Sequence, residues 1–199
     1  MSDRGLVYVF TGDGKGKTSA ALGIVLRALT HGWSVGWVSW YKEASWGISE
    51  HKLDTILSDE AKKRLFFFPM GKGFYLQNGI MSQHVGKVKI VRANSAVIVD
   101  DDSADSHRIV ANSALQKAEN LLSAVDVLVL DEVCNAIHDE LVDEKDVMRI
   151  VEKRQGVHLV LTGRNATQAI IKKADLVSDI KKIKHPFDSG KLAIKGLDF

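Results

Sequence analysis

Residues 6–18 read LVYVFTGDGKGKT, which is a short apolar run followed by a glycine-rich turn. The run over residues 6–10 is typical of a β-strand that is buried on both faces. From residue 19 to residue 30 the apolar side chains recur at helical spacing, which predicts a helix there. A strand before the turn and a helix after it form the context in which such a turn binds phosphate.

The turn over residues 11–18 suits the phosphate chain of a nucleotide. Its glycines let backbone N–H groups point inward, and the following helix adds the positive end of its dipole. A turn that binds nothing is the alternative, which the Gly-Lys-Thr ending disfavours. Thr11 stands where the usual pattern has glycine. The predicted nucleotide contacts are Gly12, Asp13, Gly14, Lys15, Gly16, Lys17, Thr18 and Ser19.

A second polar motif, Asp131-Glu132, follows the apolar run over residues 127–130. Carboxylates that follow a buried parallel strand lie at the ligand-binding edge of the sheet. Strands often end in Asp or Glu, so this motif is informative only together with the phosphate loop. We expect Thr18, Asp131 and Glu132 to hold Mg²⁺, directly or through water. The two motifs indicate a nucleoside triphosphate with Mg²⁺, but they do not identify the bond that breaks.

Strand-like and helical patterns alternate along almost the whole chain. This predicts an α/β fold with a parallel sheet sandwiched between helices. Together with the phosphate loop, the predicted class is P-loop NTPase-like (RecA-like). Two β-rich runs, 87–91 and 96–99, interrupt the alternation and predict a β-hairpin. The predicted strands of the sheet cover residues 6–10, 35–41, 65–68, 126–130, 157–161 and 176–183. The predicted helices cover residues 19–30, 49–57 (with Ser49 as N-cap), 106–124, 144–154 and 166–174.

Composition narrows the class of protein further. The chain carries 27 Lys and Arg against 25 Asp and Glu, a balance that predicts neither a nucleic acid nor a membrane as partner. No window approaches 18 uncharged apolar residues, and the first residues do not resemble a secretory signal. The single cysteine, Cys134, fits a reducing compartment. We therefore expect a cytoplasmic protein.

Taken together, these motifs resemble the P-loop family of ATP:corrinoid adenosyltransferases. The resemblance runs in order from residue 6 to residue 199, and Thr11 in the loop is itself a family feature. The phosphate loop alone is generic, whereas the C-terminal block is specific. By this comparison residues 78–102 look like an insertion within one domain that spans residues 1–199. The segments that carry the resemblance are 10–18, 20–23, 71–74, 129–132, 161–164, 174–177, 184–190 and 196–199.

The resemblance implies transfer of the 5′-deoxyadenosyl group of ATP to Co(I) of a reduced corrinoid. Triphosphate is released and adenosylcobalamin is formed. Lys17, the amides of residues 14–18, and Mg²⁺ on Thr18 and Glu132 would stabilise the leaving polyanion. Phe74 matches the family position that removes the lower cobalt ligand, and Leu76 stands where the family commonly has tryptophan. Lys17 and Phe74 are therefore the implied catalytic residues.

Two further residues, Arg164 and His185, are implied to contact the nucleotide. His185 could equally be a turn residue, and Arg164 could instead pair with Asp175. The implied partners are ATP, the reduced corrinoid, a reductase such as a flavoprotein, and a second copy of the chain.

Two other functions stay open from the residues. One is a P-loop ATPase or small-molecule kinase in which Asp131 or Glu132 positions a nucleophile. The other is a non-catalytic, ATP-dependent corrinoid-binding protein. The products distinguish the transferase from the kinase, and the absence of products distinguishes the binding protein from both.

Overall fold

Nine strands and seven α-helices form this computed structural model, which describes residues 4–73, 75, 83–85, 88–93, 96–100 and 102–198. The strands are β1 (Val7–Thr11), β2 (Val35–Ser39), β3 (Leu65–Pro69), β4 (Gln83–Val85), β5 (Val88–Ala93), β6 (Ala96–Asp100), β7 (Val127–Asp131), β8 (His158–Thr162) and β9 (Leu176–Asp179). The helices are α1 (Lys17–His31), α2 (Leu53–Ile56), α3 (Asp59–Lys62), α4 (Ala104–Leu121), α5 (Val133–His138), α6 (Glu144–Lys153) and α7 (Gln168–Lys173). Three short 3₁₀ helices cover Ala44–Trp46, Ser49–Lys52 and Pro186–Ser189.

Six of the strands form one sheet in the order β3-β2-β7-β8-β1-β9. Every neighbouring pair in this sheet is parallel. Parallel strands need crossover connections, which helices supply here. Because all six strands run the same way, their carboxyl ends meet at one edge of the sheet. The predicted α/β class with a parallel sheet is confirmed.

Helices cover both faces of this sheet, as the packing of β7 shows. Val127 and Val129 belong to one core cluster, which includes the buried side chains of α1. Leu128 and Leu130 belong to a second cluster, which includes α4, α6 and Ile170 of α7. Successive side chains of a strand point to opposite faces, so an all-apolar strand serves both clusters. The sheet is therefore sandwiched, as predicted.

The segment that interrupts the alternation forms a separate three-stranded sheet. β5 and β6 pair antiparallel, with Ala93 opposite Ala96, which confirms the predicted hairpin. β4 adds a third antiparallel strand that the sequence patterns did not predict. That residues 78–102 are an insertion within a single domain stays a prediction.

Local boundaries differ from the predicted ones in several places. The predicted helix over residues 49–57 is wrong, because a 3₁₀ helix and the one-turn helix α2 take its place, and β2 ends at Ser39 rather than at residue 41. Ser49 is not an N-cap, because it begins a 3₁₀ helix whose N-cap is Ile48. The third strand includes Pro69, which is tolerated because β3 lies at the edge of the sheet. The last strand ends at Asp179 rather than at residue 183. No helix in the described part of the chain is long and apolar enough to cross a membrane.

Replacing Gly5 with alanine tests the close approach of the chain that precedes β1. A Cβ at Gly5 would lie 2.0 Å from the carbonyl oxygen of Val157, and backbone atoms cannot give way cheaply. We expect Gly5→Ala to lower the free energy of unfolding by about 1–3 kcal/mol. Urea denaturation followed by circular dichroism measures the change.

Gly23, within α1, is the matched control, because a Cβ there meets no heavy atom within 4 Å. Gly23→Ala should raise the free energy of unfolding by about 0.5–1 kcal/mol, since alanine favours the helix. Equal stability of Gly5→Ala and the wild type would contradict the packing described here.

Candidate active site

The phosphate loop, residues 11–18, joins the end of β1 to the start of α1. Gly16 is the N-cap of α1 and has a φ of 116°, in the left-handed region that glycine tolerates. No described side chain caps this helix, and its first turn holds no acidic residue. The first amides of a helix have no intrahelical acceptor, so this N-terminus offers its N–H groups and dipole to an anion.

The Lys17 side chain lies inside the phosphate loop and hydrogen-bonds to its backbone. It is buried, and its Nζ donates hydrogen bonds to the carbonyl oxygens of Gly12 and Gly14, at 2.7 and 2.8 Å. Burial lowers the pKa of Lys17, although the nearby Glu132 carboxylate acts in the opposite direction. The ammonium therefore lies inside the loop, against the carbonyl oxygens of Gly12 and Gly14.

The chain that follows β9 supports the loop from behind. The N–H of Gly14 donates to the carbonyl oxygen of Ile180 at 2.7 Å, so this amide is already engaged. A Cβ at Gly12 would lie 2.3 Å from Oδ1 of Asp179 and 2.5 Å from the Ile180 oxygen. Glycine is required at Gly12 for the close approach of this chain. Of the other predicted contacts, Asp13, Lys15 and Ser19 are exposed.

Thr11, at the position where the usual pattern has glycine, joins the loop to the segment after β8. Its hydroxyl accepts a hydrogen bond from the N–H of Ala166 at 3.3 Å. A glycine at this position has no hydroxyl and could not accept this hydrogen bond, so Thr11 adds a contact that the usual loop residue lacks.

Asp131, the last residue of β7, is a fully buried carboxylate at the centre of the site. Oδ1 accepts from the hydroxyls of Thr162 at 2.7 Å and Thr18 at 3.1 Å. Oδ2 accepts from Nζ of Lys42 at 2.7 Å. Since both oxygens are engaged, Asp131 acts on the loop through the Thr18 hydroxyl.

Glu132 follows in the left-handed conformation, with a φ of 64°, and is the N-cap of α5. Its N–H donates to the Thr162 hydroxyl at 2.8 Å. Burial raises the pKa of the Glu132 carboxyl, and the Asp131 charge adds to the effect, while Lys42 and Lys17 oppose it. A desolvated carboxylate of this kind gains from a cation.

Lys42, which the sequence analysis missed, lies just beyond the end of β2. Its Nζ is 2.7 Å from Asp131, 3.1 Å from Oε1 of Glu50 and 3.4 Å from the Thr18 hydroxyl. Burial alone would lower the pKa of Lys42, but the charges and hydrogen bonds of Asp131 and Glu50 outweigh it and raise the pKa. The only sequence signal was its place near the carboxyl end of a predicted strand.

The oxygen groups at this edge fit Mg²⁺. Within the described residues, no group of three or more His, Cys, Asp or Glu side chains could hold a metal alone. Mg²⁺ does not need one, because it usually binds one or two carboxylates together with substrate phosphates and waters. The Thr18 hydroxyl donates a hydrogen bond to Asp131 and accepts one from Lys42 at 3.4 Å, which leaves one lone pair of its oxygen for a cation. The desolvated Glu132 supplies a carboxylate.

Arg164 and His185 lie near the loop but differ in what they do. Arg164 is exposed, and its charge acts on both Lys17 and Glu132. It does not pair with Asp175, whose ion-pair partner is Arg154. Nδ1 of His185 accepts from the Phe187 N–H at 3.1 Å, so it caps a 3₁₀ helix as a turn residue.

The end of the chain returns to the phosphate loop, where the Asp198 carboxylate pairs with the Lys15 ammonium. Hydrogen bonds from Lys15 and from the Ile194 amide lower the pKa of Asp198, and the charges of Lys15 and His185 lower it further. Phe74 and Leu76 lie outside the described residues.

A strand, a phosphate loop and a helix, with a buried lysine and carboxylates at the same edge, define a P-loop nucleotide-binding protein. The profile of the family "ATP:corrinoid adenosyltransferase BtuR/CobO/CobP" matches residues 3–199. The chain belongs to this family, and it is an enzyme that adenosylates a corrinoid with ATP.

Three proteins named corrinoid adenosyltransferase are each 30% identical to the chain. That of Sinorhizobium sp matches over 99% of this chain and 81% of its own length. Those of Escherichia coli K12 and Pseudomonas aeruginosa match over 100% and 99% of this chain, and over 88% and 85% of their own lengths. A solved DNA replication initiation factor overlaps 90% of this chain and 40% of its own, with 12% identity and a TM-score of 0.42.

Glu132→Gln tests the buried carboxyl in metal-free buffer. The pKa of Glu132 in the folded state is raised above the ordinary 4.5, so the folded state keeps this proton to a higher pH than the unfolded state does. The free energy of unfolding of the wild type therefore falls as the pH rises from 4.5 through the raised pKa. We expect Glu132→Gln to melt above the wild type at pH 7–8, with the gap closing below pH 4.5. Thermal denaturation across this pH range in EDTA measures it.

Glu152→Gln, at an exposed position of α6, controls for the loss of one carboxylate. A gap between Glu132→Gln and the wild type that stays constant with pH would contradict the assigned shift.

Proposed function

We propose that the chain binds ATP with its triphosphate on the phosphate loop and offers the ribose C5′ to Co(I) of a reduced corrinoid. The observation that carries this is the uncapped N-terminus of α1, with the buried Lys17 beside it. The full-length family match supplies the acceptor. The nucleotide half of the proposal thus rests on geometry and the corrinoid half on membership of the family.

The reaction balances without a protein nucleophile. The electron pair on Co(I) forms the bond to C5′, the C5′–O bond breaks, and its electron pair leaves with triphosphate. The departing group is a polyanion, so the chain accelerates the reaction by stabilising negative charge. Lys17 and the first amides of α1 are the groups placed to do so, and Gly14 contributes less because its N–H is engaged.

Mg²⁺ would be held by the Thr18 hydroxyl and the Glu132 carboxylate, and it would supply further positive charge to the triphosphate. Asp131 orients Thr18 by accepting a hydrogen bond from its hydroxyl. Arg164 would contact the nucleotide from the exposed side, and the action of its charge on Lys17 and Glu132 supports this. Asp13, Lys15, Ser19 and His185 stay predicted contacts of lesser weight.

The form of the kinase alternative in which Asp131 acts on the nucleophile is disfavoured by the environment of Asp131, whereas the form that uses Glu132 is left to the product assay. A catalytic base must accept a proton from the nucleophile that it activates. Both oxygens of Asp131 already accept from Thr18, Thr162 and Lys42, and the residue is fully buried. Asp131 is therefore a structural anion rather than a base.

An anaerobic assay with ATP and chemically reduced cobalamin tests the proposal. We expect free triphosphate and a light-sensitive Co–C bond, read by anion chromatography and absorbance. ADP as the product would favour the kinase. Corrinoid binding without either product would favour the non-catalytic binding protein.

Lys17→Ala should lower kcat/KM by at least about a hundredfold, because it removes a preorganised cation from the leaving group. Initial rates with reduced cobalamin measure the loss. Lys145→Ala, at an exposed position of α6 with no place in the site, is the matched control. Near-normal turnover of Lys17→Ala would overturn the assignment of the loop.

Phe74→Ala tests the redox role that the family resemblance implies. The reaction that starts from Co(II) with a reductant should slow more than the reaction that starts from pre-reduced Co(I), because only the former needs the lower ligand displaced. Phe66→Ala on β3 is the control. Equal effects on the two reactions would remove Phe74 from this role.

We further propose that the enzyme works in the cytoplasm as a homodimer and receives electrons from a reductase such as a flavoprotein. The support for the dimer and the reductase is the resemblance to the family. The single, buried Cys134 fits a reducing compartment.

A further inference from the structure

We propose that Lys42 is a positioning residue that serves as the resident cation of the site. Its ammonium offsets part of the negative charge of Asp131 and Glu50 beside Thr18, so that a divalent ion enters only together with the phosphates of a nucleotide. This inference rests on the proposed nucleotide site and adds a role for a residue outside the phosphate loop and the carboxylate pair.

The first support is the set of groups around the ammonium. Nζ lies within hydrogen-bond distance of Asp131 Oδ2 and Glu50 Oε1, at 2.7 and 3.1 Å, and 3.4 Å from Thr18 Oγ1. The side chain of Lys42 is 16% exposed, and those of Asp131 and Glu50 are 0% and 10% exposed. Charges so far removed from water are weakly screened, so the ion pairs of Lys42 with Asp131 and Glu50 strongly affect which other ions can bind beside Thr18.

The second support is that the backbone holds Lys42 in place. Tyr41, which precedes it, has a φ of 64°, a left-handed conformation that is uncommon for a tyrosine. Gly71 packs directly on this turn, where a Cβ would lie 2.0 Å from the carbonyl carbon of Tyr41. The Gly71 N–H donates to the Lys42 oxygen at 3.1 Å, and the Gly73 N–H donates to the Tyr41 oxygen at 2.9 Å. A strained turn braced in this way keeps the ammonium at the site.

The third support is the balance of charge. Three carboxylates, of Glu50, Asp131 and Glu132, lie around Lys42, and the charge of Lys42 acts on Glu132 as well. The ammonium of Lys17 donates its hydrogen bonds to the loop carbonyls rather than to these carboxylates. Without Lys42 the carboxylates would attract a free divalent ion to the empty loop.

Titration of the metal-free protein with Mn²⁺, followed by electron paramagnetic resonance, tests the role without ATP or corrinoid. We expect Lys42→Met to bind Mn²⁺ about tenfold or more tightly than the wild type, because one opposing charge is gone. Lys42→Arg, which keeps the charge, should restore the weaker binding. Mn²⁺ affinity of Lys42→Met equal to that of the wild type would overturn the proposal.

Two further variants keep the test decisive. Lys52→Met, at an exposed position on the neighbouring 3₁₀ helix, should bind Mn²⁺ as the wild type does. Lys42→Gln can still donate to Asp131 but carries no charge, so it replaces Lys42→Met if that variant does not fold. It should show the same tighter binding. The product assay with wild-type enzyme tests the proposed function separately, so failure of one proposal is distinct from failure of the other.

Discussion

Hydrogen bonding to the buried Asp131 carboxylate is the interaction on which the site depends. One oxygen accepts from Thr18 at the start of α1 and from Thr162 at the end of β8, and the other accepts from Lys42 beyond β2. A charge removed from water is costly unless it is paired and hydrogen-bonded, so these contacts hold their segments in one arrangement. The loop, the carboxylates and the lysine are thereby positioned before any substrate arrives, which is the condition for electrostatic catalysis.

The sequence predicts those features that a short window of chain can carry. The run before Thr11 and the glycines after it predict a strand and a phosphate loop, because burial on two faces and an anion-binding turn each leave a local pattern. The alternation of patterns predicts the parallel sheet, and the pair of β-rich runs predicts the β5–β6 hairpin. Asp131 and Glu132 are foreseeable because carboxyl ends of parallel strands converge.

The remaining features depend on contacts between segments that are distant in the chain. Lys42 has no motif around it and gains its role only because β2 and β7 are neighbours in the sheet. The engagement of the Gly14 amide depends on Ile180, which no pattern in the loop discloses. One-turn helices such as α3 contain too few residues for a periodic pattern. Residue type alone favours Ser49 as an N-cap, but it does not show where the helix begins.

The place of β1 in the sheet has a consequence for how the protein is made. β1 is synthesised before the other strands of its sheet, yet it lies between β8 and β9, which are the last two of those strands along the chain. The carbonyl oxygen of Ile180, which supports the phosphate loop, follows later still. The loop after β1 therefore meets these native neighbours only once β8, β9 and Ile180 have been synthesised. Completion of the phosphate loop thus depends on contacts between segments far apart in the chain, which are the slow contacts to form during folding.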